Sequence, residues 1–265
     1  MEIEWILSFL ALGGFVGFMA GLLGIGGGGI MVPILTAIFV AKGVGTEHVV
    51  HLALGTSMAA IVFTSFSSMR AHHKKGAVLW SVAKFMAAGT IIGTFLGTFL
   101  ASIMQTKHLA LFFAIFMTYA AYQMATDKKP KQGRTLMPKP ALFGGGIGVG
   151  AISALVSIGG GSLTIPFLMW QNVDMKRAIA SSAAIGFPLS IAGTLGYMVN
   201  GMLHPINEPL TVGFVYLPAV FLISIVSYFT APFGASVAHK LPVSKLRKIF
   251  AVLLLILSVK MFTSL

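Results

Sequence analysis

Acidic residues and cysteine are the clearest absences from this 265-residue chain, and charge of either sign is scarce. Charged residues make up 9% of the sequence and hydrophobic residues 57%, with a mean hydropathy of +0.93. A soluble domain carries about a quarter charged residues, so this composition indicates an integral membrane protein. The lack of cysteine excludes a disulfide scaffold and a thiolate metal site, but it does not identify the compartment.

The few carboxylates all fall at or near a predicted membrane boundary, so the middle of the membrane has none for a Na⁺ site or a proton relay. The sequence therefore favours an anion over a cation as the transported species, and it leaves the energy source open. The six acidic residues are Glu2, Glu4, Glu47, Asp127, Asp174 and Glu208.

Catalytic patterns are also missing from the sequence. We identify no paired Asp residues, no HExxH motif and no histidine predicted to be buried near the serines. We therefore expect no enzyme activity, no cofactor and no metal. His48 and His51 are the only evident candidates for a titration near neutral pH, although a position at the membrane interface is the commoner role for such histidines.

The net charge of +12 would suit a nucleic acid, but the basic residues lie in short loops between apolar runs. Their distribution predicts membrane orientation instead. Four clusters, at 70–76, 127–140, 176–177 and 240–248, hold 14 of the 18 Lys and Arg residues. All four lie on the cytoplasmic side if each glycine-rich pair of helices returns to the face it left. Both termini are then external.

Two glycine-rich stretches interrupt the apolar segments. They read "GLLGIGGGGIMVPIL" at 21–35 and "ALVSIGGGSLTIPFL" at 154–168. Glycine and proline are poor residues for a helix interior. The pieces that follow the glycines are also shorter than the ~20 residues a membrane span needs. The sequence therefore predicts one helix break at Gly26–Gly29, with a helix starting after Gly29, and another at Gly159–Ser162.

The two stretches align without gaps and belong to a longer internal repeat. Pro33 matches Pro166, 133 residues later, and Ser57 matches Ser182 in the next segment. The charge pattern predicts that the first half begins on the external side of the membrane and the second half on the cytoplasmic side. We therefore predict an all-α integral membrane fold of two inverted-topology repeats, each a broken Gly-rich helical hairpin plus three transmembrane helices. The predicted boundaries are 1–126 and 140–265, joined by a cytoplasmic polar linker at 127–139.

For the isolated glycines we predict a different role from that of the glycine runs. In membrane helices single glycines let neighbouring helices approach closely, and we expect this role at six positions. They are Gly13, Gly17, Gly93, Gly97, Gly146 and Gly150.

A broken helix presents unpaired N–H groups and the positive end of its dipole, which together favour an anion. Hydroxyl groups on the following spans would add donors without adding charge. Ser57 and Ser182 have an alternative role, because each hydroxyl can bond a carbonyl of its own helix. The candidate anion-binding residues are Gly26, Gly27, Gly28, Gly29, Thr56, Ser57, Ser157, Gly159, Gly160, Gly161, Ser162, Ser181 and Ser182.

These motifs resemble a known family. "GFVGFMAGLLGIGGGGIMVPIL" and "GGGIGVGAISALVSIGGGSLTIPFL" are similar to the paired signature of the sulfite exporter TauE/SafE family, and "APFGASVAHKLP" resembles its later-helix motif. The resemblance spans nearly the whole chain and implies transport of sulfite, thiosulfate or organosulfonates across the cytoplasmic membrane. Ser162 stands where the first glycine run has Gly29, so the two runs are not equivalent.

The sequence thus predicts a multi-pass protein of the bacterial cytoplasmic membrane that moves a small sulfur-containing anion by alternating access, with export as the expected direction. The alternative is an anion channel whose pore is lined by the two glycine-rich loops. The expected partners are the sulfur anion and the lipid bilayer, without nucleic acid, and the oligomeric state stays open.

Overall fold

The structure is a computed structural model that describes residues 2–23, 27–126, 136–204, 206, 208–238 and 243–263. These residues form ten α-helices and one short β-hairpin. The helices are α1 (Ile3–Leu23), α2 (Gly28–Ala41), α3 (Val49–Lys74), α4 (Trp80–Ile103), α5 (Thr106–Thr126), α6 (Lys139–Val156), α7 (Gly161–Trp170), α8 (Met175–Gly201), α9 (Leu217–Ala238) and α10 (Val243–Thr263). In the hairpin, β1 (Thr211–Val212) pairs antiparallel with β2 (Val215–Tyr216).

Seven of these helices are long and apolar enough to cross a membrane, namely α1, α3, α4, α5, α6, α8 and α9. This confirms the predicted helical, multi-pass membrane fold. The 14 residues of α2 and the 10 residues of α7 extend about 21 Å and 15 Å, which is less than the ~30 Å of a hydrocarbon core.

Each of these two short helices returns to the end of the molecule at which its preceding helix began. Phe9 of α1 and Phe39 of α2 both pack on Tyr216, with ring centroids 5.8 and 5.7 Å from it. At the opposite end, the N–H of Met137, just before α6, donates to Gln171 Oε1, just after α7, at 3.0 Å. We call the first of these ends the hairpin end; its described residues are 42–48, 104–105, 202–204, 206 and 208–216. We call the other the basic end, where α3 finishes and α4, α6 and α8 begin.

Close glycine contacts hold two parallel helix pairs together, α1 with α9 and α4 with α6. A helix that lacks Cβ atoms on one face brings its backbone against the neighbouring backbone, which is how membrane helices gain packing energy. The six isolated glycines have the predicted packing role: Gly13 lies on Ile223, Gly17 on Ser227, Gly93 on Ile147, Gly97 on Ala151, Gly146 on Met86 and Gly150 on Thr90.

The α6 glycines allow a test of this packing with a matched control. A Cβ at Gly150 would overlap the backbone of Thr90, whereas a Cβ at Gly148 meets nothing within 4 Å. We expect Gly150→Ala to cost about 1–3 kcal/mol and to lower the Tm of the purified protein by about 2–10 °C. Gly148→Ala should leave the Tm unchanged or raise it, because alanine is the better helix former. Equal Tm values for the two variants would contradict this packing.

Candidate anion-binding site

The first glycine run closes tightly against the second. α1 ends at Leu23 and α2 begins at Gly28, two residues earlier than the sequence predicts. Gly28 lies so close to the carbonyl oxygen of Ser157 that no Cβ fits between them. The tips of the two breaks therefore touch, and Gly27, Gly28 and Gly29 are buried there. The predicted site residue Gly26 lies outside the described residues.

The second break contains two residues in the left-handed region. Ser157 terminates α6 with φ 49°, and Gly160 precedes α7 with φ 78°. The buried Ser157 hydroxyl donates to the carbonyl of Leu54 on α3 at 3.1 Å. Tyr197 of α8 donates its hydroxyl to the carbonyl of Ala154 at 2.9 Å. The carbonyl of Ala154, near the end of α6, thus has a side-chain donor, while the N–H groups of Gly161 and Ser162 at the start of α7 have no acceptor within their own helix.

A cavity of about 710 Å³ reaches from this second break towards the basic end. Gly159 and Gly161 form its inner wall, and helices α3, α8 and α9 form its sides. None of the described lining residues is Lys, Arg, Asp or Glu. The polar side chains in its wall are Thr64, Ser65, Ser67, Ser68, His72, Ser182, Ser224 and Ser227.

The rest of the wall is apolar and aromatic, with Phe63, Tyr228, Phe229 and Phe233 among its members. A site that combines an apolar surface with a few polar groups is typical of small-molecule pockets, because the polar groups orient the ligand. The arrangement here provides neutral donors at the helix start and along one wall.

The predicted hydroxyl residues have different roles in the structure. Ser182 lines the cavity, whereas its neighbour Ser181 accepts the N–H of Leu79, just before α4, at 3.0 Å. On α3, Thr56 accepts the N–H of Tyr216, just before α9, at 3.0 Å. Ser57 is fully buried and its hydroxyl has no partner.

Only some of the predicted site residues at the second break and on α8 are in the cavity wall. Gly159, Gly161 and Ser182 are in its wall; Ser162 and Gly160 are adjacent in sequence, and Ser157 is used by its bond to α3. Sequence reasoning did not assign Thr64, Ser67, Ser68, Ser224 or Ser227 to the site. Their only signal is a run of hydroxyls within apolar segments, and small hydroxyls are common in membrane helices for packing.

On the hairpin-end side of the breaks, α3 and α8 pack closely. Met58 and Tyr197 are fully buried, and the sulfur of Met58 lies 3.0 Å from the position of a Cβ at Gly193. The groove between α3 and α8 is therefore filled by side chains at this level, while it is open towards the basic end.

The described residues form ten helices, of which at least seven are long enough to span a bilayer, and a polar cavity lies at a helix break. These features define a multi-pass membrane protein of the transporter class. The family model described as Sulfite exporter TauE/SafE matches residues 9–261, and the chain belongs to that family. It is accordingly a membrane transporter and not an enzyme, as expected from the sequence.

The chain is also similar to several proteins named as probable membrane transporter proteins. The one from Haemophilus influenzae is 37% identical over 260 residues, covering 97% of this chain and 98% of the relative. Another, from Methanocaldococcus jannaschii, is 27% identical and covers 93% of this chain and 92% of the relative. A third, from Xylella fastidiosa, is 30% identical over 76% of this chain and 74% of the relative. No solved structure gives a significant match.

The natural lack of cysteine allows the openness of the cavity to be tested by single cysteines. Ala183 lines the cavity, and Met58, its counterpart in the internal alignment, is buried. In nanodiscs, we expect a water-soluble thiol reagent to modify Ala183→Cys at least about tenfold faster than Met58→Cys, since exposure of the latter needs an opening step of about 1.4 kcal/mol or more. Equal labelling rates would contradict the one-sided cavity.

Proposed function

We propose that the protein is a secondary transporter that moves a small sulfur-containing anion, such as sulfite, thiosulfate or an organosulfonate, across the cytoplasmic membrane by alternating access, in the direction of export. The observation that carries the proposal is the opening of the second helix break onto a hydroxyl-lined cavity without a charged side chain. Family membership supports the sulfur-anion substrate.

Neutral donors suit an oxyanion that must be released again. The N–H groups at the start of α7 and the dipole of that helix attract negative charge, and hydroxyls add directed hydrogen bonds. Gly161 is in the cavity wall at the start of α7, and a Cβ there would have Ser182 Oγ as its nearest neighbour, at 3.6 Å. We therefore assign Gly159, Gly160, Gly161, Ser162 and Ser182 to the anion site of this conformation.

Contacts that recur at matched positions support two inverted repeats. Thr56 and Ser181 are matched residues, and each accepts the N–H just before the fourth helix of the other half, α9 or α4. The matched serines Ser65 and Ser190 meet each other with their Oγ atoms 3.1 Å apart, as expected for residues near a twofold axis.

The glycine contacts follow the same relation between the halves. Gly13 lies on Ile223 and its match Gly146 on Met86, while Gly17 lies on Ser227 and its match Gly150 on Thr90. The first helix of each half thus packs on the fourth helix of the other. Since α1 starts at the hairpin end and α6 at the basic end, the proposed repeats have opposite orientations.

The two halves offer matched sites, of which one is open. Ser182 lines the cavity, but its match Ser57 is buried with an unpartnered hydroxyl. A buried hydroxyl without a partner costs about 1–3 kcal/mol and calls for an explanation. We propose that Ser57 and Gly26–Gly29 bind the anion in a second conformation, open towards the hairpin end. Thr56, Ser157 and Ser181 position the breaks in the present one.

This arrangement favours a carrier over the alternative of a channel. A channel needs one continuous path, whereas Met58 and Tyr197 fill the groove beyond the breaks. A carrier alternates between two such half-paths. Saturable, counter-transport-stimulated flux in proteoliposomes would support the carrier, and unsaturated single-channel currents would reject it.

The anion site is tested by Ser182→Ala and Gly161→Ala, with the exposed Ser236→Ala as control. The first removes a donor from the cavity wall, and the second adds a methyl group beside the helix N–H groups with room to fit. A hydrogen bond to a charged group contributes about 1.5–3 kcal/mol, so each variant should weaken anion binding by about 10- to 100-fold.

The measurement is a binding panel on purified protein with sulfite, thiosulfate, sulfate, isethionate, sulfoacetate and taurine, followed by flux of the tightest ligand in proteoliposomes. Ser236→Ala should bind and transport like the unmodified protein. Unchanged binding in both folded site variants would reject this site, and binding of none of the six ligands by the unmodified protein would reject the substrate class.

Ser57 gives a second test, because its role in the proposed cycle lies outside the present conformation. We expect Ser57→Ala to keep or raise the Tm, since it removes a buried hydroxyl that has no partner, and yet to slow transport. Ser157→Ala is the contrasting variant, because it breaks a bond to Leu54 and should lower the Tm. Full transport activity in Ser57→Ala would contradict the second site.

A further inference from the structure

Three histidines meet at the hairpin end, away from the cavity. The ring of His48 lies with its centroid 5.4 Å from that of His51 on α3 and 5.2 Å from that of His204 in the segment before β1. All three rings contact Phe214, which His204 stacks against at an interplanar angle of 12°. This histidine cluster, comprising His48, His51 and His204, joins α3 to the segment 202–216.

His51 is almost completely buried, with 1% of its surface exposed, and only one of its ring nitrogens is satisfied. Nε2 lies 2.9 Å from the carbonyl oxygen of Ala101 and 3.1 Å from that of Met104, at the end of α4. Carbonyl oxygens only accept, so Nε2 must carry a proton. Nδ1 of His51 is buried without a partner, and Nδ1 of His48 is in the same situation.

The packed cluster therefore holds the neutral form. A second proton on His51 would create a buried cation whose new Nδ1–H has no acceptor, and a charge on His48 would lie beside it. Burial and the neighbouring His204 also lower the pKa of His48 from its ordinary value. A lowered pKa means that this conformation loses stability as the pH falls below about 6.5, because the conformation with solvated rings takes up the proton first.

Of the charged groups near the cluster, Glu47 favours a proton on His48, but burial and His204 outweigh it, so the pKa of His48 stays lowered. Glu47 precedes His48 and is exposed, with its carbonyl accepting from the Thr106 hydroxyl. Glu208 pairs with Lys42 over Tyr216. Lys107 and His108, at the start of α5, are exposed.

We propose that the histidine cluster is a proton-binding site that controls the opening of the hairpin end, so that proton uptake by His48 and His51 favours the conformation open on that side. This proposal rests on the alternating-access function proposed above. Its mechanical link is α3, which carries His51 and, six residues later, Ser57 of the second anion site. Proton uptake loosens Phe214 and the end of α4 from α3.

The test compares the labelling rates of Met58→Cys and Ala183→Cys in nanodiscs at pH 7.5 and pH 5.5. Their ratio cancels the ionisation of the thiol itself. For a one-unit difference in histidine pKa between the two conformations, the Met58/Ala183 ratio should rise about fivefold at the lower pH. His51→Gln keeps a side-chain N–H for the α4 carbonyls but cannot take up the proton, so it should abolish the rise. His108→Gln, an exposed control near the same end, should leave it intact.

His48→Gln provides a second variant in case His51→Gln does not fold, and it should reduce the rise. A ratio that does not change with pH in the protein with all histidines would overturn this proposal, and so would a rise that persists in folded His51→Gln. If the proposed alternating-access function is wrong, the result is different. Ala183→Cys would then be no more reactive than Met58→Cys at pH 7.5, with or without the histidine substitutions.

Discussion

The structure depends on how two interrupted helices satisfy their backbone polar groups in surroundings without water. In hydrocarbon an unpaired N–H or carbonyl is costly, so non-helical backbone persists only inside protein or beside a polar cavity. Here α3 and α8 surround the breaks, and side chains from them and from the breaks supply partners, as in the bonds from Ser157 to Leu54 and from Tyr197 to Ala154. At the start of α7, Gly161 lies in the wall of the cavity.

The same constraint explains why hydroxyls occur as adjacent pairs on α3 and α8. In each pair one hydroxyl accepts an N–H that precedes a membrane helix, as Thr56 does for Tyr216 and Ser181 for Leu79. The other hydroxyl lies about 100° further round the helix, which in the case of Ser182 places it beside Gly161 of the second break. One short segment thus fixes a neighbouring helix and offers a donor to the proposed ligand, which couples helix position to site geometry.

Composition and the glycine runs were enough to predict the membrane fold and both breaks, since apolar length and helix-breaking residues act locally. The distinct roles of Ser181 and Ser182 could not be predicted, because neighbours of the same chemistry differ only in helix phase and in what packs there. The cavity wall from Ser224 and Ser227 was also missed, as it depends on how α9 packs against α3. The hairpin at 211–216 has only four strand residues, too few for a periodic signal.

The two proposed repeats differ in side chains at matched positions, and in the proposed transport cycle this difference favours the present conformation. Met58 and Tyr197 fill the closed side, where the open side has the smaller Ala183 and the polar His72. Burial of the two larger side chains stabilises closure, and the unpartnered Ser57 hydroxyl opposes it by about 1–3 kcal/mol. A difference of a few kcal/mol between two conformations is the range that a ligand can reverse. If every buried polar group on the closed side had a hydrogen-bond partner, the protein would be held in one conformation. In the proposed cycle, the unpartnered Ser57 hydroxyl therefore keeps the free-energy difference between the two conformations small.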